Sequence, residues 1–134
     1  MKTVLIVDGG GRGDALVYMY SRSPQVGRII AAPGNDLMQF NSRKKVKTFP
    51  KVKVTDKDEL LRICKKEKVD LVDVGPEEAI EAGVVDHLEQ AGFAVVGPTR
   101  KAAQIEWDKA WAREFMQKYK LPIPKFGVFH SEKE

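Results

Sequence analysis

Short apolar runs alternate with amphipathic stretches along most of this chain. Residues 3–7, 26–32 and 69–74 are largely apolar, a pattern typical of strands that are buried on both faces of a parallel sheet. Residues 93–96 predict a further strand, and residues 52–54 predict a short one.

Four stretches between these runs have helical periodicity. The predicted helices cover residues 14–22, 58–67, 79–91 and 102–119. Thr55 and Asp56 supply N-cap chemistry to the second helix, and Gly92 caps the third. The fourth helix is predicted to break near Trp107 and Asp108.

Two segments show neither the apolar run of a buried strand nor the periodicity of a helix. Residues 36–49 are rich in Asn, Ser and Lys and are predicted to be an irregular, exposed connection. Leu121-Pro122-Ile123-Pro124 predicts a stiff linker, and the strand-like residues 126–129 after it look like the opening of another domain.

The predicted order is β-α-β-loop-β-α-β-α-β, which indicates an α/β fold with a Rossmann-like, doubly wound, mainly parallel sheet. Ligands of such sheets bind at the carboxyl ends of the strands. Four turns that contain glycine directly follow strands and should collect at that edge: Gly9-Gly10-Gly11-Arg12, Pro33-Gly34-Asn35, Gly75-Pro76-Glu77 and Gly97-Pro98-Thr99.

The first of these turns carries the clearest chemical signal. Glycines let a ligand approach the backbone closely, and the start of the next helix offers unpaired N–H groups. A nucleotide or another phosphate-containing ligand is therefore predicted. The turn does not follow the G-x-G-x-x-G pattern, so a tight turn without a ligand stays open as an alternative.

Composition narrows the class of protein only a little. The 134 residues fit one domain, or one domain and the start of another, and 43% of them are hydrophobic. The formal net charge is +4, with basic and acidic residues interspersed. The densest basic stretch, residues 43–47, has no interleaved aromatic residues to stack bases. We therefore expect a solvated loop there and no nucleic-acid partner, with anion steering as the alternative.

The single cysteine and the two histidines give no signal of catalysis or metal binding. Cys64 lies in an apolar helical pattern and is expected to be a core residue. His87 and His130 are far apart in the sequence, and no cluster has metal-ligand spacing, so no metal site is expected. No stretch approaches the roughly 20 apolar residues of a membrane span, and no signal peptide is visible. A cytoplasmic protein without a membrane partner is expected.

Seven motifs occur in an order and spacing that cover nearly the whole chain. They are Gly10-Gly11-Arg12 with Ala15-Leu16, Ala32-Pro33-Gly34-Asn35, Val74-Gly75-Pro76-Glu77 with Gly83-Val84-Val85-Asp86, Gly97-Pro98-Thr99, Ala102-Ala103-Gln104-Ile105-Glu106, Lys109-Ala110-Trp111-Ala112 and Leu121-Pro122-Ile123-Pro124. Together they resemble the N-terminal part of the glycinamide ribonucleotide synthetase (phosphoribosylamine–glycine ligase) family, ATP-grasp ligases of purine biosynthesis.

The resemblance implies a division of the chain and a reaction. Residues 1–100 would form the pre-ATP-grasp domain on the phosphoribosylamine side, and residues 101–134 a helical connector that begins an ATP-grasp region. The family uses ATP and magnesium to activate glycine as an acyl phosphate. The amine of phosphoribosylamine then attacks it to give glycinamide ribonucleotide.

The resemblance also implies site residues. The substrate-binding candidates are Gly10, Gly11, Arg12, Gly34, Asn35, Gly75, Pro76 and Glu77, and Lys109 is the candidate on the ATP side. No catalytic residue and no metal ligand is assigned to this chain, and no cofactor is expected to bind it tightly.

Each of these candidates also has a purely structural interpretation. Arg12 would bind an anionic group of the phosphoribosyl ligand or pair with Asp8 or Asp14. Glu77 would accept hydrogen bonds from ribose hydroxyls or complement a helix dipole.

The other candidates are equally open. Asn35 would bind ligand or occupy a left-handed turn position, and Lys109 would bind ATP or be a surface lysine. Trp107 and Trp111 are expected to pack against an absent or partner domain.

Two departures from the family pattern matter. Gly13-Asp14 stands where the family usually has Glu-His, and the chain stops before the main phosphate- and magnesium-binding region. We therefore expect the chain to be inactive alone and to require an ATP-grasp region in cis or on a separate chain.

The alternative function is that of a non-catalytic, Rossmann-like nucleotide-binding or protein-interaction module. A nicotinamide-dependent oxidoreductase is disfavoured, because no acidic residue follows the second strand.

Overall fold

A computed structural model describes residues 1–129 and 131. The elements within these residues are β1 (Lys2–Asp8), α1 (Gly11–Arg22), β2 (Val26–Pro33), α2 (Met38–Asn41), β3 (Val46–Thr48), α3 (Lys57–Glu67), β4 (Leu71–Val74), α4 (Glu77–Glu81), α5 (Val84–Gln90), β5 (Ala94–Val96), α6 (Gln104–Trp107) and α7 (Lys109–Lys118). His130 and residues 132–134 lie outside the described part, and with them the end of the predicted connector.

The five strands form one sheet in the order β3-β2-β1-β4-β5, and every neighbouring pair is parallel. Val7 on the central strand pairs with Ala32 on one side and with Val74 on the other. The strand order reverses between β1 and β4, which is the switch point where doubly wound sheets bind their ligands. The predicted α/β, doubly wound, parallel architecture is confirmed.

Alternation along the strands creates a core on each face of the sheet. Ile6 and Ile29 belong to the core on the side of α1 and α2, which includes Val17 and Met38. Neighbouring side chains such as Leu5 belong to the larger core beneath α3, α4 and α5.

Cys64 is fully buried in this larger core, as the sequence predicts. Burial raises the pKa of its thiol to about 12, so the group is protonated at neutral pH and packs as an apolar side chain.

The connection at residues 36–49 is more ordered than the sequence predicts, and the prediction of an irregular loop is wrong. It contains α2 and the edge strand β3. Met38 is fully buried in the core beneath α1, and β3 pairs with β2 from Ile29 to Ala31. A four-residue helix and a three-residue strand are too short to leave a periodic pattern in the sequence.

The predicted strand at residues 52–54 is absent from the described sheet. Val52 and Val54 pack against the larger core, while Lys51 and Lys53 are exposed. The alternation of valine and lysine therefore arises because the two valines anchor the segment to the core. The segment does not pair with another strand of the described sheet.

Two helix predictions need correction at their boundaries. The helix α1 begins at Gly11, three residues before the predicted start, so part of the glycine-rich turn is helical. The helix predicted over residues 79–91 is two helices, α4 and α5, which are separated at Ala82 and Gly83.

The predicted break near Trp107 is confirmed. Asp108 separates α6 from α7, and its side chain accepts a 3.0 Å hydrogen bond from the backbone N–H of Trp111. Residues 126–129 form no strand, so the prediction of a strand there is wrong. None of the helices in the described part of the chain is both long and apolar enough to cross a membrane.

An ion-pair network ties the end of α3 to the neighbouring strands β2 and β3. Glu67 is only 7% exposed and bonds to Lys47 of β3 at 2.7 Å and to Arg28 of β2 at 2.9 Å. Its backbone carbonyl also accepts from Arg28. The hydrogen bond from Lys47, aided by both positive charges, lowers the pKa of Glu67 below its ordinary 4.5.

We predict that Glu67→Gln destabilises the fold by about 1–2 kcal/mol at pH 7, because both ion pairs are lost and the amide keeps only one oxygen to accept from Lys47 and Arg28. A carboxylate whose pKa is lowered by folding stabilises the fold fully above its unfolded value, and this contribution is lost as pH falls through the folded value. Urea denaturation should therefore show a difference between parent and variant that is constant above about pH 4.5 and shrinks below it.

The matched control is Glu59→Gln, which removes one partner of the surface pair between Glu59 and Arg62. This pair is bidentate but lies at the surface, where ion pairs contribute little, so this variant should lose less stability than the Glu67 variant. Equal stability of the Glu67 and Glu59 variants would show that the network does not fasten β3 to α3.

Candidate functional site

Three of the four predicted turns meet at the carboxyl ends of β1, β2 and β4. The N–H of Gly34 donates to the carbonyl of Asp8 at 3.1 Å, and the N–H of Gly75 donates to the carbonyl of Val7 at 3.4 Å. The Asn35 side chain donates to the carbonyl of Gly9 at 3.1 Å. The turns after β2 and β4 are thus fastened to the end of β1 or to the turn that follows it.

Asp8, the last residue of β1, lies at the centre of this arrangement and is 4% exposed. One of its oxygens accepts from the Gly10 N–H at 2.6 Å, and the other accepts from Arg12 Nε at 3.2 Å. A Cβ atom at Gly75 would lie 2.9 Å from the Asp8 carboxylate and 3.2 Å from Arg12 Nε. Glycine at position 75 therefore allows the third turn to approach this ion pair closely.

The Asp8 contact orients Arg12 without using up its donors. The guanidinium group has five N–H donors, and the structure pairs only Nε, with no acceptor for the other four among the described residues. The Arg12 side chain is 60% exposed. Of the two structural partners considered from the sequence, Asp8 is the one observed, because Asp14 instead accepts from Asn41 at 2.6 Å.

A cleft of about 590 Å³ opens above these turns. Gly10, Arg12 and Pro76 are the predicted site residues that line it. Gly34, Asn35 and Gly75 belong to the turns that brace it, and Gly11 lies between Gly10 and Arg12 at the start of α1. Residues 50–54 form the opposite wall of the cleft, and Asp8 and Glu78 also line it.

Sequence reasoning missed this opposite wall and the central position of Asp8. Glu78 was also missed, although it adjoins a predicted site residue. The one available signal for the wall was the alternation of Val52 and Val54 with Lys51 and Lys53, which predicted a strand.

Glu77 and Lys109 lie apart from the cleft. Glu77 lines a neighbouring cavity of about 270 Å³, together with Pro98 of the fourth turn and Trp107. Lys109 is exposed at the start of α7 and lines neither cavity.

The Asn35 side chain is engaged in the protein's own structure. Its Oδ1 accepts from the N–H groups of Leu37 and Met38, at 2.9 and 3.2 Å, while its Nδ2 bonds to Gly9. The left-handed position in this turn belongs to Gly34, at φ +68°. The suggestion that Asn35 itself adopts that conformation is wrong.

The two tryptophans differ in their surroundings. Trp107 packs against the larger core, and its ring N–H donates to the Arg100 carbonyl at 3.2 Å. The expectation that Trp107 packs on another domain is therefore wrong. Trp111 is on the next helix and stacks on Phe115 of that helix, with ring centroids 5.1 Å apart.

Residues 2–106 match the family described as phosphoribosylglycinamide synthetase, N domain. The chain belongs to the phosphoribosylglycinamide synthetase family. A phosphoribosylamine–glycine ligase from Archaeoglobus fulgidus is 40% identical over 136 residues, which cover 98% of this chain and 28% of that protein. The chain spans 28–30% of the length of the curated relatives it matches, so it corresponds to an N-terminal portion of the longer family members.

Solved structures share the fold at lower identity. The phosphoribosylamine–glycine ligase from Thermotoga maritima superposes with a TM-score of 0.61 at 19% identity, covering 93% of this chain and 27% of that one. The biotin carboxylase domain of a single-chain bacterial carboxylase gives a TM-score of 0.70 at 21% identity, covering 99% and 33%. The phosphoribosylglycinamide synthetase N domain thus shares its architecture with carboxylases.

The turn after β2 provides a test of this geometry. A Cβ at Gly34 would lie 2.8 Å from Thr48 Cγ2 and 2.9 Å from Ala31 Cβ, at a φ of +68°. We predict that Gly34→Ala lowers the free energy of unfolding by about 1–3 kcal/mol, through backbone strain and overpacking. Thermal denaturation measures the loss.

Gly11→Ala is the matched control, because a Cβ at Gly11 meets nothing within 4 Å and alanine favours the helix. Its stability should stay equal or rise by up to about 1 kcal/mol. Equal melting temperatures of the two variants would contradict the tight contact between the turn at Gly34 and Thr48 of β3.

Proposed function

We propose that this chain is the phosphoribosylamine-binding portion of a phosphoribosylamine–glycine ligase. The observation that carries the proposal is the cleft at the switch point of a family N domain, where the turns after β1 and β4 present Gly10, Arg12 and Pro76. The same edge binds ligands in doubly wound sheets generally.

The guanidinium of Arg12 has the chemistry to hold an anionic or polar group of the phosphoribosyl ligand. Asp8 fixes the side chain through Nε, and the unpaired donors of the two terminal nitrogens suit phosphate or ribose oxygens. The backbone at Gly10 and Gly11 allows close approach. A carboxylate at the start of α4 is proposed to meet the ribose hydroxyls. Glu77 is the residue predicted for this role but lines the neighbouring cavity, whereas Glu78 lines the cleft directly.

In the complete ligase, ATP and magnesium would activate the carboxylate of glycine for attack by the amine of phosphoribosylamine. Lys109 is the one candidate on the ATP side that this chain is proposed to supply. Within the described residues, no group of three or more His, Cys, Asp or Glu side chains could hold a metal ion. We propose that an ATP-grasp region holds both groups, in cis or on a separate chain, and that residues 101–134 lead into it from a domain formed by residues 1–100.

A non-catalytic binding module is the second candidate. Asp8 already occupies the N–H of Gly10 and Nε of Arg12, so the chain supplies its own anion to part of the turn. Such a module would bind nucleotides such as AMP at least as well as glycinamide ribonucleotide.

We predict that Arg12→Ala weakens binding of glycinamide ribonucleotide roughly 10- to 100-fold, the cost of losing a charge-assisted hydrogen bond. Glu78→Ala should have an effect of the same order, because Glu78 lines the cleft, whereas Glu77→Ala should have a smaller one. Calorimetric titration measures each dissociation constant, with AMP titrated in parallel.

Lys65→Ala, on the exposed surface of α3, is the control and should bind like the parent. All four side chains are exposed, and each variant should stay folded. Arg12→Ala also removes one of the two partners of the buried Asp8 carboxylate, so thermal denaturation accompanies each titration. Unchanged affinity in the Arg12 variant would place the ligand elsewhere. A preference of the parent for AMP would favour the binding module over the ligase.

A further inference from the structure

The wall of the cleft opposite the glycine turn is an anchored segment, residues 50–54. Val52 and Val54 are half-buried and pack against the larger core. Lys51 and Lys53 alternate with them and are exposed, and both line the cleft. Val52 and Val54 also line the cleft. The two valines thus anchor this segment of the cleft, and the two lysines are its charged side chains.

Backbone hydrogen bonds fix this segment at both ends. The Phe49 N–H donates to the carbonyl of Ala31 at 2.9 Å, which continues the pairing of β3 with β2. The Val52 N–H donates to the Phe49 carbonyl at 2.9 Å, and the Asp56 N–H donates to the Lys53 carbonyl at 3.0 Å. The lysines thus lie on a braced turn between β3 and α3.

These lysines differ from the basic residues just before them. Lys44 donates to the backbone carbonyls of Ser23 and Val26, and Lys47 pairs with Glu67. Lys51 and Lys53 have no hydrogen bond or ion pair to any residue in the part of the chain that the structure describes. Their charges are therefore available to a ligand.

The charge balance of the cleft favours an anion. Arg12, Lys51 and Lys53 are its positive residues, and Asp8 and Glu78 its negative ones. Asp8 is paired with Arg12, which leaves two lysines against one glutamate. An ammonium group on a flexible stem is well suited to a phosphate, which accepts hydrogen bonds from several directions.

We propose that Lys51 and Lys53 bind the phosphate of the phosphoribosyl ligand and so give this cleft its preference for phosphorylated over unphosphorylated sugars. The proposal rests on the proposed function, since it assigns one group of that ligand to one wall of the same cleft. Arg12 and the glycine turn then hold the ribose end across the cleft.

The test compares Lys51→Gln/Lys53→Gln with Lys65→Gln/Lys66→Gln. Both double variants remove two positive charges from exposed positions, and the second pair lies on α3, outside the cleft. The probes are glycinamide ribonucleotide and glycinamide riboside, its dephosphorylated form. Calorimetric titration at low and high salt gives the affinities, and thermal denaturation confirms that each variant is folded.

Each exposed lysine–phosphate contact is expected to contribute about 3- to 10-fold in affinity, less than a buried one. The first double variant should therefore bind the ribonucleotide about 10- to 100-fold more weakly and the riboside unchanged. The control should bind both like the parent. Added salt should weaken binding of the ribonucleotide to the parent more than to the first variant.

Two results would overturn this assignment while leaving the proposed function intact. One is equal affinity of the two double variants for the ribonucleotide, and the other is a parent that binds riboside as tightly as ribonucleotide. A parent that binds neither probe would instead count against the proposed function itself, and the assignment would fall with it.

Discussion

A buried carboxylate at the end of the central strand, Asp8, holds the ligand edge of this fold together. Removing a carboxylate from water is costly unless hydrogen bonds compensate it, and here the Gly10 N–H and Arg12 Nε provide them. The same contacts fix the first turn, set the start of α1 and orient the arginine. Gly75 lets the turn after β4 approach the pair.

The sheet explains why these groups meet although they are distant in sequence. The chain returns from β3 at one edge to β4 beside β1, so the turns after β1 and β4 become neighbours at the switch point. The turn after β2 is fastened from the other side through Gly34 and Asn35. The segment after β3 then forms the opposite wall. Each wall of the cleft thus comes from a connection that follows a strand.

Much of this could be predicted from the sequence, because the long apolar runs and strong caps carry their own signals. The strands β1, β2, β4 and β5, the N-cap at Asp56 and the break at Asp108 are local features of this kind. The edge strand β3 could not be found, because its three residues, with one lysine among them, follow directly on a basic stretch and do not differ from a loop. The helix break at Gly83 was hidden by apolar residues that continue with a helical spacing on both sides.

The site was predictable only where it coincides with the glycine turns. Gly10, Arg12 and Pro76 do line the cleft, since a turn that follows a parallel strand must lie at the ligand edge. The sequence could not show that the Asp8 side chain is buried. It also could not show that the Asn35 amide hydrogen-bonds to backbone groups of its own fold. It also could not tell Glu77 from Glu78, because neighbouring residues at a helix start face different cavities. Such choices depend on tertiary packing.

The central claim is that a phosphoribosyl ligand occupies the cleft organised by Asp8 and Arg12. Mapping amide chemical shifts of the labelled chain during titration with glycinamide ribonucleotide tests it most directly. The largest shifts are expected at residues 9–13, at Gly75 and at residues 51–54. Shifts confined to the exposed aromatic face of α7, at Trp111 and Tyr119, or no shifts at millimolar ligand, would contradict it.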